Sequence, residues 1–222
     1  MLKTYETKLI SIKSEIQKIG IDVVEALEIC LTALENKRIE DLKNVDLTEK
    51  KLLVKSSEID NLIVTTLALY SPEAKDLRQL VSFLKITNEL VRTGSNVKAF
   101  AKMFKKSFSN DLNTTIILEY AVPLLKSALL SLQTTISIID ETDAKQVEEK
   151  YHRVVVEESK TDDLYLMIEK NILKLITKNL DLSKEYFDTL SALRRLEKIA
   201  DRAVSIANLL QFAHVGGDIV QS

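Results

Sequence analysis

The chain has 222 residues, enough for one domain or two small ones and for a substantial buried core. Four Gly and two Pro against 45% hydrophobic and 29% charged residues leave few turn formers, which excludes many short strands and favours a few long helices. A net charge of −2, with both signs spread along the chain, gives no footprint for nucleic acid, and the single cysteine excludes an internal disulfide or a Cys-based zinc site.

Met1-Leu2-Lys3-Thr4-Tyr5-Glu6 leads straight into a charged amphipathic pattern, which predicts no signal peptide and a soluble, cytoplasmic protein. In the first helix Tyr5, Leu9, Ile12, Ile16, Ile19, Val23, Ala26, Cys30 and Ala33 alternate spacings of four and three, the seam of coiled-coil-like packing. Cys30 lies on that stripe and reads as a small buried hydrophobe. Gly20, among good helix formers, predicts a bend or a close neighbour. Asn36-Lys37-Arg38 is the turn, and a second helix is expected from about Ile39 to Leu69. Ser71 as N-cap, Pro72 at the first helical position and Glu73 in the first turn are expected to open the third helix.

The third helix carries Phe83, Ile86, Leu90, Val97, Phe100 and Phe104 on its apolar stripe and reaches about Phe108. Ser107-Phe108-Ser109-Asn110-Asp111 is the loop-like stretch near the middle, so the chain divides into residues 1–109 and 110–222. Asp111 or Asn113 can cap a fourth helix running to about Asp140. Its hydrophobic stretch from Thr114 to Ile139 is interrupted by Glu119, Pro123 and Lys126, which suits a packed bundle helix rather than a membrane span. That helix is apolar over more of its circumference than one three-helix bundle buries, which predicts a homodimer.

Glu141-Thr142-Asp143 restarts the pattern for a fifth helix to about Lys178, and a sixth runs from about Leu182 to Phe212 before Gly216 and Gly217 stop it. Six helices with short connections predict an all-α fold of antiparallel helices, divided three plus three.

The sixth helix places Glu197, Asp201 and Ser205 at i, i+4 and i+8 along one edge. Leu196-Glu197-Lys198-Ile199-Ala200-Asp201-Arg202, followed by His214-Val215-Gly216-Gly217-Asp218, resembles the closing helix of the PhoU family. Glu197 and Asp201 match that family's Glu-x-x-x-Asp-x-x-x-Asn/His metal motif, and Ser205 departs from it. Pro72-Glu73-Ala74-Lys75-Asp76-Leu77-Arg78 is similar to the family's Pro-x-Ala-x-Asp-Leu-Arg entry to its third helix. The resemblance implies two tandem three-helix PhoU bundles over nearly the whole chain.

The residues themselves offer no nucleophile elbow, no phosphate-binding glycine loop and no Cys-His pairing, so an enzyme is not expected. His152 forms one Glu-x-x-His with Glu149, whereas a ferritin-like di-iron bundle needs two. Carboxylate pairs are the sharper feature. The family's pattern supplies carboxylates for hard or borderline cations from paired helices, and the resemblance implies such a set here: Glu158/Asp162 on the fifth helix and Glu197/Asp201 on the sixth, each pair at the spacing that puts both oxygens on one face. Iron, zinc, manganese and magnesium all fit such a set. The bland alternative is a solvated face neutralised by Arg194, Lys198 and Arg202. At the matching places of the first repeat stand Glu49, Leu53, Val91, Ser95 and Ala99, which do not complete a charged shell, so any metal is expected in the second repeat only.

The resemblance implies a regulator that acts with the high-affinity phosphate importer, through its ATP-binding subunit, and with a phosphate-sensing histidine kinase. It implies repression of the phosphate-starvation response when phosphate is plentiful. Docking through helix faces would use Asp76, Arg78, Arg92, Arg195 and Arg202. Other readings stay open: an accessory protein of another ion transporter, a metal-binding bundle of ferritin-like type, or a structural coiled-coil adaptor. No anion pocket is visible beyond helix N-termini such as that at Ser71-Pro72.

Overall fold

Long stretches without helix breakers wind into six α-helices in the computed structural model, which describes residues 2–109 and 111–216. They are α1 (Leu2–Glu35), α2 (Glu49–Tyr70), α3 (Ala74–Ser107), α4 (Thr114–Ile136), α5 (Ala144–Lys178) and α6 (Ser183–Val215). Short 3-10 turns occupy Ile39–Asn44 and Leu180–Leu182, and no strand occurs among the described residues. The fold is two tandem three-helix bundles, α1–α3 and α4–α6.

The seam of α1 faces inward as its period dictates. Tyr5, Ile12, Ile16, Ile19, Val23, Ala26, Cys30 and Ala33 are buried, and Leu9 packs partly buried against the same core. Burial pushes the Cys30 thiol up to about 12, which leaves it an inert apolar side chain. Gly20 admits a close neighbour: a Cβ there would stand 2.5 Å from Ile136 Cδ1 of α4. The stripe of α3 is likewise buried from Phe83 to Phe104.

Two expected boundaries move. The second helix does not begin at Ile39; residues Ile39–Asn44 form a 3-10 turn and α2 starts only at Glu49. Val45 and Leu47 are buried on either side of exposed Asp46, a period of two that needs extended backbone and breaks the helical register. Lys98 on α3 pins this segment by donating to the Val45 carbonyl at 2.7 Å. Ser71 is not the N-cap of α3. It closes α2 in the left-handed region (φ 44°, ψ 55°), donating its N–H to the Leu67 carbonyl. Pro72 disfavours the right-handed helical region for the residue before it, so Ser71 ends one helix instead of starting the next. The N-cap of α3 is Glu73, without a side-chain cap bond.

Of the two expected caps for the fourth helix it is Asn113 that serves: its Oδ1 accepts from Ile116 N to open α4, and Asp143 Oδ1 accepts from Lys145 N to open α5. Gly216, at φ 85°, follows the end of α6, while Gly217 lies outside the described residues.

α4 is the one described helix long and apolar enough to cross a membrane, and it is packed as a core helix against α1, α5 and α6. Ile117, Ala121, Leu124, Leu125, Ala128 and Leu132 are buried within the chain. Much of the apolar breadth that predicts a homodimer is covered internally, by α1 as well as by α5 and α6, while Leu130 stays 41% exposed.

The two repeats meet along an antiparallel seam between α3 and α6, the most extensive helix pair in the molecule. Thr189 Oγ1 donates to Ser107 Oγ at one end, Arg202 meets Glu89 in the middle, and Gly216 packs on the Arg78 guanidinium at the other.

Candidate metal centre

Antiparallel packing of α5 on α6 brings the inner edge of one helix beside that of the other. Thr161 and Tyr165 on α5 and Leu196 and Ala200 on α6 are buried along this pair of helices. Beside them opens a cleft of about 450 Å³ lined by Glu158, Asp162, Glu197, Lys198, Asp201, Arg202, Val204 and Ser205. Glu158, Asp162 and Asp201 each offer one carboxylate oxygen within 4.8 Å of the others, the one such group of three among the described residues.

The electrostatics show strain on charge. Burial raises the Glu158 carboxyl above its ordinary range, and the charges of Asp162 and Asp201 raise it further. Asp162 is raised by the same order of causes, burial first and then Asp201, with Lys198 pulling the other way. Lys198 is the internal counterion. Its ammonium donates to Asp201 Oδ2 at 2.7 Å and Glu197 Oε1 at 3.3 Å, and the Asp201 bond is what chiefly raises its own pKa.

Three of the four expected carboxylates thus converge. Glu197 stands aside, drawn to Lys198, with Arg194 Nε 3.8 Å from its other oxygen. That oxygen, Oε2, is buried and has no hydrogen-bond partner. Ser205 Oγ donates back to the Asp201 carbonyl, as helical serines do, and does not point a lone donor at the cluster.

The residues fit a cation. All the donors are hard oxygens, two of the carboxyls resist ionisation as they stand, and one carboxylate oxygen is orphaned. The Lys198 side chain is 41% exposed, so it can swing out to free Asp201. In the first repeat the corresponding side chains are scattered. Glu49 and Leu53 are exposed, Val91 is buried, and Ser95 Oγ donates to the Val91 carbonyl. His152 is exposed on the far side of α5, with Glu148 3.9 Å away rather than Glu149.

The candidate docking residues differ in exposure and in their partners. Asp76 is exposed in the first turn of α3, while Arg78 is half-buried under Gly216 with its Nε buried and unpartnered. Arg92 and Arg195 are exposed. Arg202 is engaged: its Nη1 donates to Glu89 Oε2 at 2.6 Å, so it belongs to the seam between repeats. Glu89 was not singled out in the sequence, because a lone acid on a mixed-charge helix gives no signal until its partner across the seam is known.

The fold defines the class: an all-helical bundle of two tandem three-helix repeats, with a cluster of three carboxylates between α5 and α6. The match to the family model described as "PhoU domain" is twofold, over residues 16–104 and 124–210. The chain belongs to the PhoU family. It is 25% identical over 224 residues to "Phosphate-specific transport system accessory protein PhoU" of Escherichia coli (strain K12), covering 96% of this chain and 89% of that protein. "Phosphate-specific transport system accessory protein PhoU homolog" of Clostridium acetobutylicum is 24% identical over 208 residues, covering 92% of this chain and 91% of the relative. The fold is similar to that of the phosphate transport system regulatory protein PhoU from Streptococcus pneumoniae, with TM-score 0.79, 19% identity, and coverage of 98% and 100% of the two chains. PhoU from Pseudomonas aeruginosa gives TM-score 0.71 at 19% identity, covering 97% and 98%.

Proposed function

We propose that this chain is an accessory regulator of phosphate transport. It docks on the ATP-binding subunit of a phosphate importer and on a phosphate-sensing histidine kinase, and it represses the starvation response when phosphate is plentiful. The observation that carries the reading is the match to the family in both repeats, together with relatives described as accessory to phosphate-specific transport over nearly the full chain. A pull-down of the importer's ATP-binding subunit and the sensor kinase with the purified chain tests it. Capture of neither, together with normal repression of a phosphate-starvation reporter in a deletion strain, overturns it.

The cleft between α5 and α6 is proposed to hold a divalent or ferric cation through Glu158, Asp162 and Asp201, with Glu197 within reach. The cation would cancel the mutual repulsion of the carboxylates and release Lys198. Elemental analysis of protein purified without chelator is expected to find metal in the wild type and none in the Glu197→Ala/Asp201→Ala variant. An unchanged metal content in that variant, or metal between α2 and α3, overturns the assignment.

A further inference from the structure

α5 is apolar on two sides. Its inner stripe, Tyr165, Ile168, Ile172 and Ile176, is buried in the second bundle. Its outer side carries a second set that nothing in the chain covers: Leu166 at 59%, Met167 at 53% and Leu173 at 47% exposure, continued by Leu180 at 72% on the following 3-10 turn.

The same outer side carries Lys170, Lys174 and Lys178, one helical turn apart, all exposed and without an ion-pair partner among the described residues. Like charges at this spacing repel each other on a helix. From Leu166 to Leu180 no exposed position is acidic; Asp163 and Asp181 stand just outside the stretch. Glu169, the one acid within it, lines the α5–α6 cleft beside Arg194, with Leu166 at the edge of that cleft. Among the described residues the lysines therefore have no ion-pair partner.

We propose that the outer face of α5, from Leu166 to Leu180, is a docking surface for an anionic lipid membrane. Leucines and lysines sharing one exposed helical face form the pattern that lies in a bilayer interface, the apolar groups entering the acyl boundary and the ammonium groups meeting headgroup phosphates. An acidic partner helix would need a groove to lie in. The groove beside this face, between α5 and α6, is itself lined by carboxylates and repels such a partner. The lysines stand on the ridge, where a flat anionic surface can reach all three. The proposal rests on α5 alone and is independent of the transport reading.

The test is co-sedimentation of the full chain with vesicles of equal parts phosphatidylglycerol and phosphatidylcholine, compared with phosphatidylcholine alone. The wild type is expected to bind the anionic vesicles and to be released by high salt. Each lysine near an anionic surface contributes about fivefold in affinity, so Lys170→Gln/Lys174→Gln/Lys178→Gln is expected to bind about a hundredfold more weakly. Leu166→Ser/Leu173→Ser, also at exposed positions, is expected to weaken binding while keeping its salt dependence. Equal binding to both vesicle types, or an unchanged triple variant, overturns the proposal. Absence of binding by the wild type overturns it as well, and self-association lost on Leu173→Ser would then assign the face to a second copy of the chain.

Discussion

Arg202 of α6 and Glu89 of α3 meet at 2.6 Å across the seam between the two repeats, with the Glu89 side chain 17% and the Arg202 side chain 27% exposed. Arg92 lies 3.4 Å from the other Glu89 oxygen, so one carboxylate gathers cations from both repeats. Because the Arg202 Nε is already buried without a partner, removing the carboxylate leaves a guanidinium doubly short of acceptors. Glu89→Ala is expected to destabilise the chain by about 1–3 kcal/mol, read from the urea midpoint. A shift within experimental error would mean that the pair is solvated and idle.

Gly20 faces Ile136 with no room for a methyl group. Alanine would gain about 1 kcal/mol in helix propensity but overpack the α1–α4 crossing by about 1–3 kcal/mol. Gly20→Ala is therefore expected to destabilise slightly, and Ile136→Val is expected to relieve it in the double variant. Additive losses in the double-mutant cycle would disprove the crossing.

Ile16 and Ile19 are fully buried on the α1 seam. Replacing either by Ala is expected to cost about 2–5 kcal/mol. Chemical denaturation decides, and a loss below about 1 kcal/mol would put the wrong face of α1 inside.

Asp162 and Glu158 are held above their ordinary carboxyl range, chiefly by burial and then by neighbouring acids. A raised folded pKa means that the native state binds the proton more tightly than the unfolded chain. The resulting penalty is present above the folded pKa and is relieved as pH falls through it. In metal-free protein, Asp162→Asn is expected to raise neutral-pH stability by about a few tenths of a kcal/mol, after solvent screening, and to flatten the pH dependence above the unfolded carboxyl range. Chelator should lower the melting temperature of the wild type and leave Glu197→Ala/Asp201→Ala unchanged.

His214 behaves oppositely. Burial first, and then Lys13 and Lys75, lower its pKa, with Glu141 opposing. A depressed histidine is neutral in the fold and gains its proton more readily unfolded, so stability falls as pH drops through the unfolded value of about 6.5. His214→Gln is expected to remove that component between neutral pH and the folded pKa. An unaltered stability profile there would show that His214 is not shielded.

Helix number, the α1 and α3 stripes and the Asn113 cap were legible because periodicity and short-range capping are local signals. The start of α2 was not, since Val45 and Leu47 alternate within a stretch rich in helix formers and only their burial reveals an extended strap. Ser71 was misplaced because serine before proline suits both a cap and a stop, and backbone sterics at Pro72 decide. The carboxylate spacing on each helix was legible, but whether α5 and α6 turn those edges toward each other depends on register. The role of Lys198 as clamp and the withdrawal of Glu197 are tertiary facts. The outer face of α5 was not legible for a simpler reason: period alone does not tell which leucines of a charged amphipathic helix, such as Leu166 and Leu173, the core leaves outside.

The α3–α6 seam has a consequence for biosynthesis. Ser107 waits for Thr189, 82 residues further on, and Glu89 waits for Arg202, 113 residues further on. At a synthesis rate of about 5–20 residues per second, the apolar and charged seam face of α3 stands uncovered for several seconds after α1–α3 have emerged. The last of the six described helices to leave the ribosome is the one that covers it. A chain truncated before α6 therefore retains a finished first repeat with its longest contact surface bare, a form suited to capture by chaperones or proteases rather than to partial function.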